Sequence, residues 1–226
     1  MTHVRAEIVV ERPGDYWRQE QTAQAYDRGR FDSLWGRIYR WSEERTIVQA
    51  LHGVPRGGTV LDAACGTGRI TALLQQQGFR AAGCDVSPAM MAVARRRLTS
   101  LGYDGVRLVE SGVERLPYPD QSFDAVTCIG LLMHLDADVR VRALHEFARV
   151  SRGPLIIQYG CVDAFQRVIA RVTGLPPGRV RRPVPECEMN SDLSCAGLLA
   201  RTRSWVLRGV SSSVIVVAAR KAARTP

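Results

Sequence analysis

No run of apolar residues in this sequence approaches the ~18 needed to cross a bilayer. The opening segment MTHVRAEIVVERPGD holds one short apolar patch, broken at once by Glu11 and Arg12. Neither a transmembrane segment nor a signal-peptide architecture is expected, and the reading is a soluble cytoplasmic protein. CxxC pairs are also missing. The six cysteines stand at 65, 84, 128, 161, 187 and 195, with no histidine at metal-ligand spacing, so no metal site and no disulfide framework is expected. Cys65, Cys84 and Cys128 end apolar runs, where a thiol behaves as a small hydrophobe. Internal repeats and low-complexity segments are absent. With 46% hydrophobic and 23% charged residues over 226 positions, the composition excludes disorder as the main state and suits one sizeable α/β domain.

Lysine is nearly missing: Lys221 is the single one among 31 basic residues, and the formal net charge is +9. Residues 151–226 hold 12 basic and 4 acidic side chains, whereas residues 61–150 hold 10 of each. The excess therefore sits in the last third, including Arg179, Arg181 and Arg182. Arginine's planar fork suits phosphate and carboxylate. A solvated basic face and an anion-binding face remain alternatives at this level.

From Gly57 onward short apolar runs alternate with helical patterns, the signature of βαβ units. TVLDAAC (59–65) reads as a buried strand and Arg69–Gln77 as a helix closed by Gly78. A second strand, Arg80–Asp85, leads to Ser87 and Pro88, an N-cap followed by proline at the first helical position. Beyond them, Met90, Met91, Val93, Ala94 and Leu98 face inward and Arg95–Arg97 mostly outward. Further strands are predicted at Val106–Glu110, Phe123–Ile129 and Leu155–Tyr159, with a helix at Asp138–Val150. Arg203–Arg208 and Ser213–Ala219 are too close for a helical crossover and should pair as an antiparallel hairpin. The fold class is α/β: a doubly wound, mostly parallel seven-stranded sheet ending in that hairpin. Residues 1–52, rich in Tyr and Trp and helical near Glu43–Leu51, are expected as an N-terminal helical cap. Within 53–226, residues 160–202 read as a substrate-capping insertion with a helix at Ala164–Val172, a proline-rich loop and a second short helix.

Between the first strand and helix lies Asp62-Ala-Ala-Cys-Gly66-Thr-Gly68-Arg69. Glycines there let backbone approach a ligand, and the helix start presents free N–H groups. A dinucleotide loop would run GxGxxG to seat a pyrophosphate; position 69 lacks the last glycine. Asp62 beside the loop suits an ammonium group better than an anion. Asp85, 17 residues after Gly68, ends the second strand, where a carboxylate can accept both hydroxyls of a ribose. An adenosine-type ligand with an amino-acid end is the better match.

These residues resemble class I S-adenosylmethionine-dependent methyltransferases, of the ubiquinone/menaquinone-biosynthesis (methyltransferase type 11) subgroup. VLDAACGTGRI (60–70), GCDVSPAMMAVAR (83–95), ERLPYPDQSFDAV (114–126) and HEFARVSRGPLII (145–157) follow the family's motifs in order. The resemblance implies S-adenosyl-L-methionine as cofactor and S-adenosyl-L-homocysteine as product. It places Ala64, Cys65, Gly66, Gly68 and Arg69 at the methionine part, Asp62 near its amino group and Asp85 on the ribose. Val86 and Met90 would flank adenine, Gly112, Val113 and Glu114 would meet its edge, and Cys128 and Ile129 would line the cleft. Tyr26 would belong to a segment closing over the cofactor. Two departures are visible. Members often carry Asp where Gly112 stands, and Ala64 replaces a glycine, which is harmless only if its φ stays below zero.

The expected activity is methyl transfer to oxygen or nitrogen of a small metabolite, with an anionic acceptor among the candidates. His134, after the fourth strand, is the candidate base. Trp35, Tyr39, Arg179, Arg181 and Arg182 are candidate acceptor residues. The alternatives are an RNA or protein methyltransferase and a non-catalytic S-adenosylmethionine-binding protein. No RNA-binding module is recognisable, so nucleic acid is not expected as a partner; a monomer or a homodimer fits equally.

Overall fold

The computed structural model describes residues 20–162, 183–208 and 211–221. The predicted helix at Ala164–Val172 and the Arg179, Arg181, Arg182 cluster lie outside those residues, as do Tyr16 and Trp17. Seven strands form one sheet: β1 (Thr59–Ala63), β2 (Arg80–Asp85), β3 (Arg107–Glu110), β4 (Ala125–Cys128), β5 (Leu155–Gly160), β6 (Leu198–Trp205) and β7 (Ser213–Arg220). Their order is β3-β2-β1-β4-β5-β7-β6. Strands β1 to β5 pair in parallel, and β7 runs antiparallel to both β5 and β6. Chain order reverses between β1 and β4, which opens a crevice at the carboxyl ends of those strands.

Alternation along the strands separates two cores. Leu61, Leu155, Ile157, Val214 and Val216 face one side with Phe147 and Leu144. Val60, Ile156 and Ile215 face the other with Ile47, Leu51, Leu73 and Leu74. Asp62, two residues beyond Val60, falls on this second face. Among the described residues, six α-helices flank the sheet: α1 (Glu20–Phe31), α2 (Leu34–Ala50), α3 (Arg69–Gln76), α4 (Pro88–Ser100), α5 (Ala137–Val150) and α6 (Glu186–Cys195). Ser87 caps α4 by accepting from the Met90 N–H at 3.2 Å, with Pro88 in the first turn.

Three element boundaries differ most from the sequence expectation. The helix expected near Glu43–Leu51 is the second half of α2, which starts at Leu34 and is capped by Ser33 accepting from the Gly36 N–H at 3.0 Å. Its outward face carries exposed Leu34 and Trp41, so the apolar period that marks a helix is blurred there. Strand β6 begins at Leu198, five residues earlier than expected. A register shift between Ala200 and Thr202 breaks its alternation, as a bulge does, and most of its residues are exposed. Phe123, read as the start of β4, forms only an isolated bridge to Ser151. Asp124 accepts from the Thr59 N–H at 2.7 Å and hydroxyl at 2.9 Å, which organises the turn before β4.

Candidate active site

A cavity of about 270 Å³ lies at the carboxyl ends of β1, β2 and β4, near the lower end of the ~300–1,000 Å³ span of small-molecule pockets. Helix α1 closes it: Tyr26, Asp27, Arg30 and Phe31 stand in its wall, opposite the loop from Ala64 to Thr67. The segment after β3, Ser111 to Glu114, and the exit of β4, Ile129 to Leu131, complete the rim.

The loop between β1 and α3 is fixed from within. Asp85 accepts from the Gly66 N–H at 2.8 Å and the Ser87 N–H at 2.9 Å, tying the end of β2 to the loop and leaving part of the carboxylate's capacity unused. Burial pushes the Asp85 carboxyl up, with the Ser87, Gly66 and Val86 N–H groups opposing it. Gly68 takes φ +75°, and a Cβ there would stand 2.9 Å from that of Ala94. Both the left-handed turn and the contact with α4 therefore require glycine. Ala64 adopts φ +59°, against the condition that made its replacement of glycine harmless: the tight exit from β1 imposes the left-handed region whichever residue is there. Left-handed backbone costs an L-residue ~1–2 kcal/mol, and glycine returns part of that through unfolded-state entropy. Ala64→Gly should therefore stabilise the ligand-free protein by about 0.5–1 kcal/mol, read as a small rise in melting temperature. A fall would show that the Ala64 methyl packs usefully.

Asp62 is 1% exposed. It accepts from the Thr71 hydroxyl at 2.7 Å and the Thr127 hydroxyl at 3.2 Å. Burial pushes its carboxyl up to about 6, against the two threonine hydroxyls and the Arg69 charge. Asp27 presents a second carboxylate to the cavity, and its Oδ1 is buried without a partner. With Asp85, three carboxylates face this side of the pocket.

The α1 lid is latched by long-range polar contacts. Asp27 accepts from the Thr67 hydroxyl at 3.0 Å and pairs with Arg97, and Arg97 also donates to the Thr67 carbonyl at 3.0 Å. Arg97, read from sequence as outward-facing, reaches back along α4 to this latch, its length carrying the charge across a partly buried surface. Arg69 lines the cavity but pairs with Glu43 and Glu44 of α2, so its charge is largely engaged. Glu43 also accepts from the Tyr39 hydroxyl at 2.9 Å and the Gln158 amide at 2.7 Å.

The structure thus brings Tyr26, Asp62, Ala64, Cys65, Gly66 and Arg69 to one cavity. Asp85, Val86, Met90, Gly112, Val113, Glu114, Ile129 and His134 join them. Glu114 is held by Arg142 at 2.7 Å. Cys128 is fully buried beneath the cavity, and Gly68 packs on α4 instead of lining it. Two acceptor candidates fall elsewhere. Trp35 is 68% exposed, and Tyr39 turns its hydroxyl into the Glu43–Gln158–Ser213 network. Asp27, Arg30, Phe31 and Thr67 were not legible, since α1 lacks a clear amphipathic pattern and its partners lie far along the chain.

A family profile described as a methyltransferase domain matches residues 60–153. Demethylmenaquinone methyltransferase of Thermus thermophilus is 34% identical over 159 residues, covering 63% of this chain and 69% of that protein. The ubiquinone/menaquinone biosynthesis C-methyltransferase of Xanthomonas oryzae is 37% identical over 117 residues. Those residues are 49% of this chain, which spans only 46% of that relative. Among solved structures, magnesium protoporphyrin IX methyltransferase of Synechocystis with bound S-adenosylhomocysteine superposes with a TM-score of 0.75 at 22% identity, covering 92% of this chain and 98% of the other.

Proposed function

We propose, from the premise that this chain belongs to the class I S-adenosylmethionine-dependent methyltransferases, that it methylates a ring carbon of a small hydroquinone-type acceptor. The observation that carries this reading is the make-up of the cavity on its β4 side. Phe31, Ile129, Leu131, Leu135 and Val139 form an apolar wall with Arg30 set among them, a surface suited to an oxygen-bearing aromatic ring. The names of the Thermus and Xanthomonas relatives, both quinone methyltransferases, support it.

The β1–β2 side fits the family's cofactor. The buried carboxyl of Asp62 is held in a site that disfavours its charge, and Asp27 offers an unpartnered buried oxygen; both suit a ligand that brings positive charge. Asp62 would hold its ammonium, Asp85 its ribose hydroxyls, and Val86 and Met90 would flank its base. When bound, S-adenosylmethionine would supply an electrophilic sulfonium methyl, the C–S electron pair being left on sulfur and the displaced ring proton passing to solvent or a base. The protein's part is to orient the acceptor and keep water out beneath α1.

The test is turnover with methyl-labelled S-adenosylmethionine and a chemically reduced, short-chain demethylmenaquinone. A product whose labelled methyl resonates as C–CH3 is expected, and absence of such a product overturns the reading. His134, which lines the cavity on the turn Leu132–His134 after β4, favours a second reading in which it takes a proton from an oxygen or nitrogen acceptor. An O–CH3 or N–CH3 resonance would select that reading.

A gain-of-function variant probes the adenine edge. A Cβ on Gly112 would meet nothing within 4 Å, and its backbone lies outside the left-handed region. Gly112→Asp should place an acceptor for the adenine amino group where family members often have one. One added hydrogen bond is worth ~0.5–1.5 kcal/mol, so about 3- to 10-fold tighter cofactor binding is expected by calorimetry. No change would mean that adenine is read elsewhere.

A further inference from the structure

We infer that Arg30 and Gln158 form an oxygen subsite that takes a neutral ring hydroxyl of the acceptor, as donor and acceptor respectively. The inference rests on the reading above and adds the group by which the acceptor is chosen. Gly130, at the exit of β4, lines the cavity with φ +83°. A Cβ there would stand 3.6 Å from Arg30 Nη1 and 3.9 Å from Gln158 Oε1. Because Gly130 has no side chain, Arg30 in the cavity wall and the buried Gln158 Oε1 behind it both lie close to the space a Cβ would fill.

Gln158 is 0% exposed. Its amide nitrogen donates to Glu43 Oε1 at 2.7 Å and to the Tyr39 hydroxyl at 3.2 Å, which fixes the amide's orientation. Its oxygen is then left buried with no partner, an acceptor that gains from any donor brought to it. Arg30 is complementary. Its guanidinium lies over the rings of Tyr26, Phe31 and Tyr39 at 5.9, 5.2 and 5.7 Å, and it spends one hydrogen bond, to the Tyr26 hydroxyl at 2.7 Å. The nearest carboxylate oxygen, on Glu43, is 3.9 Å away and that carboxylate is shared with Arg69. N–H groups therefore remain for a ligand oxygen.

A hydroxyl satisfies both atoms, donating to Gln158 Oε1 and accepting from Arg30. An ether oxygen cannot donate, and an ammonium would face the guanidinium. The geometry therefore selects a hydroxyl-bearing ring over its ether.

The test compares 1,4-naphthohydroquinone, kept reduced, with 1,4-dimethoxynaphthalene, binding each to the full chain in the presence of S-adenosylhomocysteine. The apolar bodies match and only the hydroxyl protons differ. The wild type should prefer the hydroquinone by at least ~10-fold, about the worth of one charge-assisted hydrogen bond. Arg30→Met and Gln158→Met should each bring the ratio within ~2-fold, and Arg30→Lys should restore part of it. Partial rescue by Arg30→Lys is a readout that a merely structural role would not produce. Melting temperature and S-adenosylhomocysteine affinity identify a variant that has failed to fold; if Gln158→Met does, the two Arg30 variants still decide. An unchanged preference in Arg30→Met overturns the subsite and leaves Gln158 Oε1 to a bound water, even where the wild type methylates the hydroquinone on carbon. A wild type with the expected preference but no carbon-methylated product overturns the functional reading while the subsite stands.

Discussion

Asp62→Asn is expected to weaken S-adenosylmethionine binding by about 100-fold while making the ligand-free protein more stable. The two effects share one cause. Asp62 is sealed between β1, β4 and α3 at 1% exposure, and burial raises its carboxyl from 3.8 to about 6. A carboxyl whose folded value lies above its unfolded one holds its proton longer in the native state. Stability of the free protein therefore falls as pH climbs from about 4 through about 6, and at neutral pH the ionised group costs ~1–3 kcal/mol. Asparagine removes that cost, and the Thr71 and Thr127 hydroxyls can rotate to serve an amide. The gain in melting temperature should be present at pH 7 and vanish below about pH 4. A cationic ligand offsets the same cost in the wild type, so affinity should follow the ionised fraction. Between pH 7 and pH 5 wild-type binding should weaken ~10-fold, whereas Asp62→Asn should be flat. Calorimetry at three pH values checks this, and a variant that binds like the wild type would show that the ammonium sits elsewhere, with Asp27 the next carboxylate to test.

The parts of the molecule legible in the sequence are those whose signals are local. Ser87 and Pro88 announce the start of α4 through one capping hydrogen bond, and the apolar runs of β1, β2, β4 and β5 are long enough to read as buried strands. The short link from β6 to β7 could make only a hairpin. Asp62, Gly66 and Asp85 were readable together because the βαβ unit fixes a strand end, a loop and the next strand end within 24 residues. What escaped depends on tertiary partners. Gln158 meets Glu43 across 115 positions, and Tyr39 meets Ser213 across 174; nothing in either segment names the other. For the same reason Tyr39 looked like an acceptor residue when it is a strut between α2 and β7. Ala64 carries no mark of its positive φ, since alanine is ordinary everywhere else. Arg97 looked solvated because its helix position is outward, yet its length brings it to Thr67 and Asp27.

Glu43→Leu is the most damaging single substitution expected outside the sheet, at ~3–5 kcal/mol. Glu43 is 0% exposed. Burial opposes its ionisation, but Arg69 and Arg30, with hydrogen bonds from Gln158 and Tyr39, hold the carboxyl below its ordinary 4.5. Replacing the carboxylate by an apolar group leaves Arg69, whose side chain is 10% exposed, with Glu44 alone at 3.2 Å, and strips the Gln158 amide of its better acceptor. Unpaired buried charge is the costly part, so removing both partners should hurt less than removing one. Glu43→Leu with Arg69→Met should recover more than half of the loss, measured by urea unfolding at pH 7. Because the folded carboxyl lies below its unfolded value, the wild type's advantage over Glu43→Gln is present above about pH 4.5 and shrinks as pH falls through the folded value. A loss under about 1 kcal/mol in Glu43→Leu would place the network in the weak, solvent-screened class. The mooring of α2 to the sheet would then rest on the apolar packing of Ile47, Leu51 and Val48 and on the Tyr39–Ser213 hydrogen bond.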